Sequence, residues 1–280
     1  MISETNRLQA VLPVANGCIG IAAGFPLRIS DTDGNVNSIQ RGLRLPMPLV
    51  NSIVKGSENT WIAGGIPGQR GVLAMLNELS LESSMPVAIG QECLTGYAEL
   101  GDRQVVVNAK GGLFIRTRND VWQEQPAHQG ACTGILAIGE RRFVTFGVDA
   151  LVHCWDRNGN KTGTLEGHSA AITGGIVAPD GTLTTVSVDR SVRVWEPVRQ
   201  RQKMFFKGFE NALVAVHLVG AVVVVIDSAG QVFTVGDTGK PVKAGAAPGY
   251  PCCSWIGRNR QATFFAAIRS GTIHRIPIGV

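Results

Sequence analysis

No run in this chain approaches the roughly 20 consecutive apolar residues that a membrane-spanning helix needs, so no membrane insertion is expected. The first residues, Met1-Ile2-Ser3-Glu4-Thr5-Asn6-Arg7, lack a basic start followed by an apolar run, and no secretory signal is read there. Six cysteines are present, yet none forms a C-x-x-C pair. Cys252 and Cys253 are adjacent but have no Cys or His at ligand spacing, so no metal site is expected and the thiols read as small buried groups in a reducing, intracellular compartment, cytoplasmic or nuclear. A P-loop, a dinucleotide fingerprint, an H-E-x-x-H pair and an EF-hand loop are all missing, so no cofactor is expected. Asn160-Lys161-Thr162 fits a glycosylation sequon, but without a secretion signal it reads as chance. Helical periodicity is lacking too. Its nearest approach is Gln69–Glu82, where Gly71 and the need for further strands favour a strand.

What is present is glycine and order. The chain holds 35 glycines, 44% apolar and 17% charged residues, a globular composition suited to many short strands and tight turns. A 40-residue echo runs through its middle. His128, Asp149 and Trp155 return as His168, Asp189 and Trp195, and Thr145, Val148 and Val152 return as Thr185, Val188 and Val192. A period of this length marks a repeat architecture.

The clearest unit reads Gly167-His168, Ala171–Val177, Pro179-Asp180-Gly181, Leu183–Val188, Asp189 and Val192-Arg193-Val194-Trp195-Glu196. Its segments are short, rich in Val, Ile and Thr, and bounded by turn residues, as strands are. This pattern resembles a WD40 repeat. The resemblance implies a four-stranded blade opened by Gly-His, with the Asp in the turn between the second and third strands and the Trp ending the third. It also implies a His–Ser–Asp–Trp hydrogen-bond network, which on this chain is His168, Ser187, Asp189 and Trp195. In the preceding unit His128, Asp149 and Trp155 match, but Gly147 stands in place of the serine and Ala127 in place of the glycine, so that network is expected to be incomplete.

The match is strong over about 70 residues, within 128–207; elsewhere spacing carries the reading. It yields an all-β, seven-bladed propeller of four-stranded antiparallel blades. Their approximate bounds are 8–44, 45–88, 89–127, 128–167, 168–207, 208–247 and 248–280, with residues 2–7 supplying the last blade's fourth strand and closing the ring. A six-bladed ring with an irregular region around 60–90 is the alternative count.

Ser187, His168 and Asp189 match a catalytic triad in residue type, but the repeat gives both histidines and both aspartates scaffold positions, and no oxyanion hole is evident. No catalytic residues are therefore assigned. The first strands read Ile172–Val177, Leu213–His217 and Cys252–Trp255, with His217 the one titratable group, which argues against an enzyme built in a central channel. Trp61, Tyr97, Trp122, Tyr250 and Trp255 lack a repeat explanation and read first as packing. The resemblance implies a docking face at the turns equivalent to Asp189-Arg190, where Arg70, Lys110, Arg190 and Arg269 form a cationic rim suited to acidic proteins or peptides. The function expected is a non-enzymatic scaffold presenting loops to protein partners. The alternative is a subunit of a ribonucleoprotein or other nucleic-acid-associated assembly that uses the basic segment 190–207. That segment holds Arg190, Arg193, Arg199, Arg201, Lys203 and Lys207, with Glu196 among them.

Overall fold

Runs of five to eight residues, rich in Val, Ile and Thr, end at glycines and Asx turns before a helix could nucleate, so strands dominate. The computed structural model describes residues 8–14, 17–32, 35–117, 119–236, 240, 241–247, 249, 251–257, 263–268 and 273–277. The first blade contains β1 (Leu8–Val14), β2 (Gly17–Ala22), β3 (Phe25–Thr32) and β4 (Asn35–Arg41), and the second β5 (Leu49–Lys55), β6 (Thr60–Ile66), β7 (Arg70–Leu76) and β8 (Ser83–Ile89). The third contains β9 (Leu94–Leu100), β10 (Arg103–Asn108), β11 (Gly112–Arg116) and β12 (Trp122–Pro126). The fourth contains β13 (Cys132–Ile138), β14 (Arg142–Gly147), β15 (Val152–Asp156) and β16 (Lys161–Leu165). The fifth contains β17 (Ile172–Val177), β18 (Leu183–Ser187), β19 (Val192–Glu196) and β20 (Arg201–Phe206), and the sixth β21 (Leu213–Val219), β22 (Val222–Asp227), β23 (Gln231–Val235) and β24 (Pro241–Ala246). A last sheet holds β25 (Pro251–Gly257), β26 (Thr263–Ile268) and β27 (Ile273–Pro277). Each sheet is an antiparallel meander in chain order.

The expectation of seven four-stranded blades is corrected. Six blades carry four strands, and the last sheet has three among the described residues. Residues 2–7, expected to complete it, lie outside those described. β1 is the inner strand of the first blade and packs on both β5 and β25, so first strands touch first strands around the whole circle. The stretch around 60–90 is regular, with β7 occupying half of the segment that alone resembled a helix.

The core lies between neighbouring blades. Ile19 and Ile21 pack with Val50 and Ile62, Val105 and Leu113 with Phe143 and Trp155, and Val186 and Val194 with Leu213 and Val225. Each such buried aliphatic side chain stabilises by about 1.5–3 kcal/mol, and the sum is made of nearest-neighbour interfaces.

A β-bulge recurs at the second or third residue of every inner strand, where Gln9, Asn51, Thr95, Thr133, Thr173, Val214 and Cys252 are skipped in the register. Four of these side chains bond the next blade's backbone. Gln9 Oε1 accepts from Val50 N, Asn51 Nδ2 donates to Leu94 O, and Thr133 and Thr173 Oγ1 donate to Ile172 O and Leu213 O. The bulge thus turns a side chain from its own sheet toward its neighbour and stitches the ring at one level.

Candidate functional site

Antiparallel meanders place the turns between second and third strands, and the loops that enter each blade, at one end of the ring. In blades four and five these turns need a left-handed residue, and Ala150 (φ 66°) and Arg190 (φ 63°) take that conformation. Blades three and six use Gly111 and Gly230, where an added Cβ would fall 2.2 Å from His128 O and 1.8 Å from Ala247 O.

Behind the fifth-blade turn, Trp195 Nε1 donates to Thr185 Oγ1 at 2.8 Å. Thr185 Oγ1 lies 2.8 Å from His168 Nε2, and His168 Nδ1 lies 2.8 Å from Asp189 Oδ2. A carboxylate only accepts, so Nδ1 carries the proton and Nε2 accepts from the threonine. Asp189 also accepts from the Ser169 and Ser191 N–H groups and from Ser191 Oγ. Trp195, Thr185 and His168 are buried.

The hydroxyl in this network is Thr185, not Ser187. Ser187 Oγ instead donates to Ala170 O and accepts from Asp189 N, so it binds the loop and never meets His168. Alternation explains the exchange: residues 185 and 187 lie on the same face of β18, and 185 sits opposite Arg193 in the register, one turn of the pleat nearer Trp195. The fourth-blade network, expected to be broken at Gly147, is complete. Trp155 Nε1 donates to Thr145 Oγ1 at 2.9 Å, Thr145 meets His128 Nε2 at 2.8 Å, and His128 Nδ1 meets Asp149 at 2.9 Å. The 40-residue echo of Thr145 in Thr185 was the signal for this role.

Burial pushes both His128 and His168 below the usual imidazole value, against the opposing pull of their aspartates, so both are neutral at pH 7. Burial alone would raise Asp149 and Asp189, but the imidazole and backbone N–H bonds, joined at Asp189 by the Ser191 hydroxyl, outweigh it and hold both carboxyls low.

The two blades also differ in the middle of the third strand. Arg193 in blade five lies over the Phe205 ring at 4.3 Å. Its counterpart in blade four, His153, stacks on His128 with ring centroids 4.5 Å apart. His128, Asp149 and His153 bring potential ligand atoms within 4.8 Å of one another. Their nitrogens are engaged, however. His128 is held by Asp149 and Thr145, His153 Nδ1 by Thr164 Oγ1 at 3.1 Å, and His153 Nε2 accepts from Lys161 Nζ at 3.4 Å. An ammonium stands where a metal would need to approach, and the group fits a brace better than a metal centre. Burial first, then the charges of His128 and Lys161, pushes His153 down to about 4.

Of the rim residues, Arg70 is exposed at the start of β7, Lys110 and Arg190 are exposed in turns of blades three and five, and Arg269 lies outside the described residues. Lys110 lies 3.9 Å from Glu92, whose carboxylate accepts from Gly68 and Cys93 N–H groups. Arg70 and Arg190 form no ion pair among the described residues. Beside the two aspartates, Val148 and Val188 are 43% and 46% exposed, an apolar pair at the same end of the ring. Trp61 stacks on Tyr97 at 5.4 Å as packing, and Tyr250 and the Trp255 side chain lie outside what is described.

No helix among the described residues is long and apolar enough to cross a membrane. No protein-family model matches the chain. Telomerase protein component 1 of Mus musculus is 29% identical to it over 200 residues, covering 68% of this chain and 7% of that protein. The chain therefore spans a small fraction of the curated relative it matches, and the fold stands on its own sheet topology as an all-β propeller with four-stranded antiparallel blades.

Proposed function

We propose that this chain is a non-enzymatic scaffold of the WD40 type, a rigid ring whose turns hold protein partners in an intracellular complex. The observation that carries this reading is the use of the triad-like residues. His128, His168, Asp149 and Asp189 are all spent on internal bonds that fix turns, and Ser187 bonds backbone. Outward at that end stand Arg70, Arg190, Lys110, Val148 and Val188, with Arg44 and Lys207 against Glu166 and Glu210 in the entering loops, a surface of net positive charge with apolar points suited to acidic proteins or peptides. The test is affinity capture from native lysate by the wild-type chain and by an Arg70→Glu/Arg190→Glu variant, with and without nuclease. A nuclease-resistant set of proteins lost from the variant supports the scaffold. Unchanged capture by the variant removes this face from the account.

A second reading is a nucleic-acid-associated assembly using 190–207, favoured by the similarity to a protein named as a telomerase component. Within that segment Arg199 and Arg201 share Glu196, and Arg193 is packed on Phe205, which leaves Arg190, Lys203 and Lys207 for phosphates. It predicts single-stranded RNA affinity that falls with salt with a slope of about two to three phosphates.

A further inference from the structure

The fourth strand of each blade forms the outer rim of the ring, and its far side has no strand to pair with. Such an edge invites pairing with another chain, and natural sheets blunt it with bulges, Lys or Pro. Five of the six four-stranded blades do so. A bulge breaks the pairing of third with fourth strand in blades one, two, four, five and six. Pro86, Lys161, Lys203 and Lys243 stand in four of those outer strands as well. Blade three is the exception. β12 pairs with β11 residue for residue, from Arg116 with Trp122 to Gly112 with Pro126, and no bulge interrupts it. It contains no Lys, and its one Pro is the last residue.

Alternation fixes which main-chain groups face outward. Just beyond the two ends of this pairing, Ala127 N donates to Gly111 O and Thr117 N donates to Val121 O. Odd-numbered residues of β12 therefore bond β11, and Trp122, Glu124 and Pro126 turn their main-chain groups to the rim. The N–H groups of Trp122 and Glu124 and the carbonyls of all three have no partner among the described residues. The side chains divide between the two faces. Gln125 Nε2 donates to Gly159 O of blade four, whereas Trp122, half-buried, packs on the core shared by blades two and three. Glu124 is exposed on the Trp122 side and forms no ion pair among the described residues; Arg116, opposite Trp122 on β11, is taken by Asp120.

We propose that β12 is a docking edge for an extended peptide of a partner protein, which joins blade three as a fifth strand. Main-chain bonds at Trp122, Glu124 and Pro126 hold it, as in other cases of strand addition. Side chains of the added strand follow the same pleat. On the face toward blade two, a Lys or Arg stands opposite Glu124 and an apolar residue stands beside Trp122. A second copy of this chain is disfavoured as the occupant. Two β12 edges meeting antiparallel about their central residue would set one Glu124 carboxylate directly against the other. The edge lies on the rim, apart from the cationic turns at the end of the ring, and does not depend on them.

The test is selection of a displayed random 16-residue peptide library on the intact chain, followed by fluorescence anisotropy and amide hydrogen exchange with the enriched peptides. The expected result is a class with alternating β-branched or aromatic residues and a Lys or Arg, which slows exchange of the Trp122 and Glu124 amides in the wild-type chain. Its affinity should fall about tenfold or more in Glu124→Pro, which removes an outward N–H and leaves the bonds to β11 in place. Glu124→Gln should weaken it less, and Arg190→Glu should leave it unchanged. Circular dichroism confirms that the variants fold, and the exchange measurement on the wild-type chain needs no variant. Failure to enrich such a class overturns the proposal. So does a class that binds while the Trp122 and Glu124 amides exchange as before. A dimer in sedimentation that Glu124→Pro dissolves would assign the edge to a second copy, which also overturns it.

Discussion

Blades four and five fasten the loop entering each blade with a chain of polar bonds, Trp to Thr to His to Asp, whereas blade six fastens it with two aromatic rings. Phe209 stands in that loop and meets Phe233 edge-on at 5.3 Å, at the strand position that Arg193 and His153 hold in the other two. The turn is braced by a different acid as well. In blade six the buried Asp227 accepts from Ala229, Gln231 and Asn211, two residues earlier than Asp149 and Asp189 stand in their own turns. Asn108 braces blade three in the same way through Lys110 and Gly112. The fold thus requires a fixed loop and a closed turn, and it accepts either chemistry. Only the polar one brings titration with it.

The largest expected effect breaks the aromatic version. Phe209→Ala should cost about 3–5 kcal/mol in urea unfolding, nearly independent of pH between 4 and 8, because a buried ring and no charge is lost. Thr185→Val should cost about 2–4 kcal/mol, since it strands both the Trp195 N–H and the His168 Nε2 in the interior; Thr185→Ser should recover most of it. The same measurement on Ser187→Ala, which strands only the Ala170 carbonyl and the Asp189 N–H near the surface, should show about 1 kcal/mol. Equal losses for the 185 and 187 substitutions would contradict the assignment of the bridging hydroxyl.

Titration sharpens the contrast. His128, His153 and His168 all have lowered values in the folded chain, so unfolding takes up protons as pH falls below about 6.5. Stability is then full above that value and is lost as pH drops, for His153 down to about 4. His153→Phe, which copies the aromatic choice of blade six, should remove up to about 3 kcal/mol of this pH dependence when unfolding is followed from pH 7 to pH 4. An unchanged slope would mean that His153 is solvated. Burial lowers His217 to about 4 as well, so the sum runs over four histidines and the remaining slope reports His128, His168 and His217.

The same comparison explains what could be read from the residues beforehand. A polar brace demands particular types at particular spacings, so His, Asp and Trp stand out when they recur 40 residues apart. An aromatic brace uses Phe209 and Phe233, which look like any core phenylalanine. The bridging hydroxyl was misplaced because two residues on one strand face, 185 and 187, both carry one, and only register against Trp195 separates them. Strand patterning marked the sheets, but the number of four-stranded blades depended on which strand pairs with which, and local pattern does not specify that.

The account rests most heavily on the histidines being locked inside braces and not open to solvent as a reacting group would be. Its most direct measurement is nitrogen-15 NMR of the imidazole and indole groups at pH 7, with hydrogen exchange into deuterated water. Neutral rings protonated at Nδ1 for His128 and His168, with Nδ1–H and the Trp155 and Trp195 Nε1–H exchanging only through unfolding, are the predicted result. Rapid exchange at these sites, or rings protonated at Nε2, would contradict it.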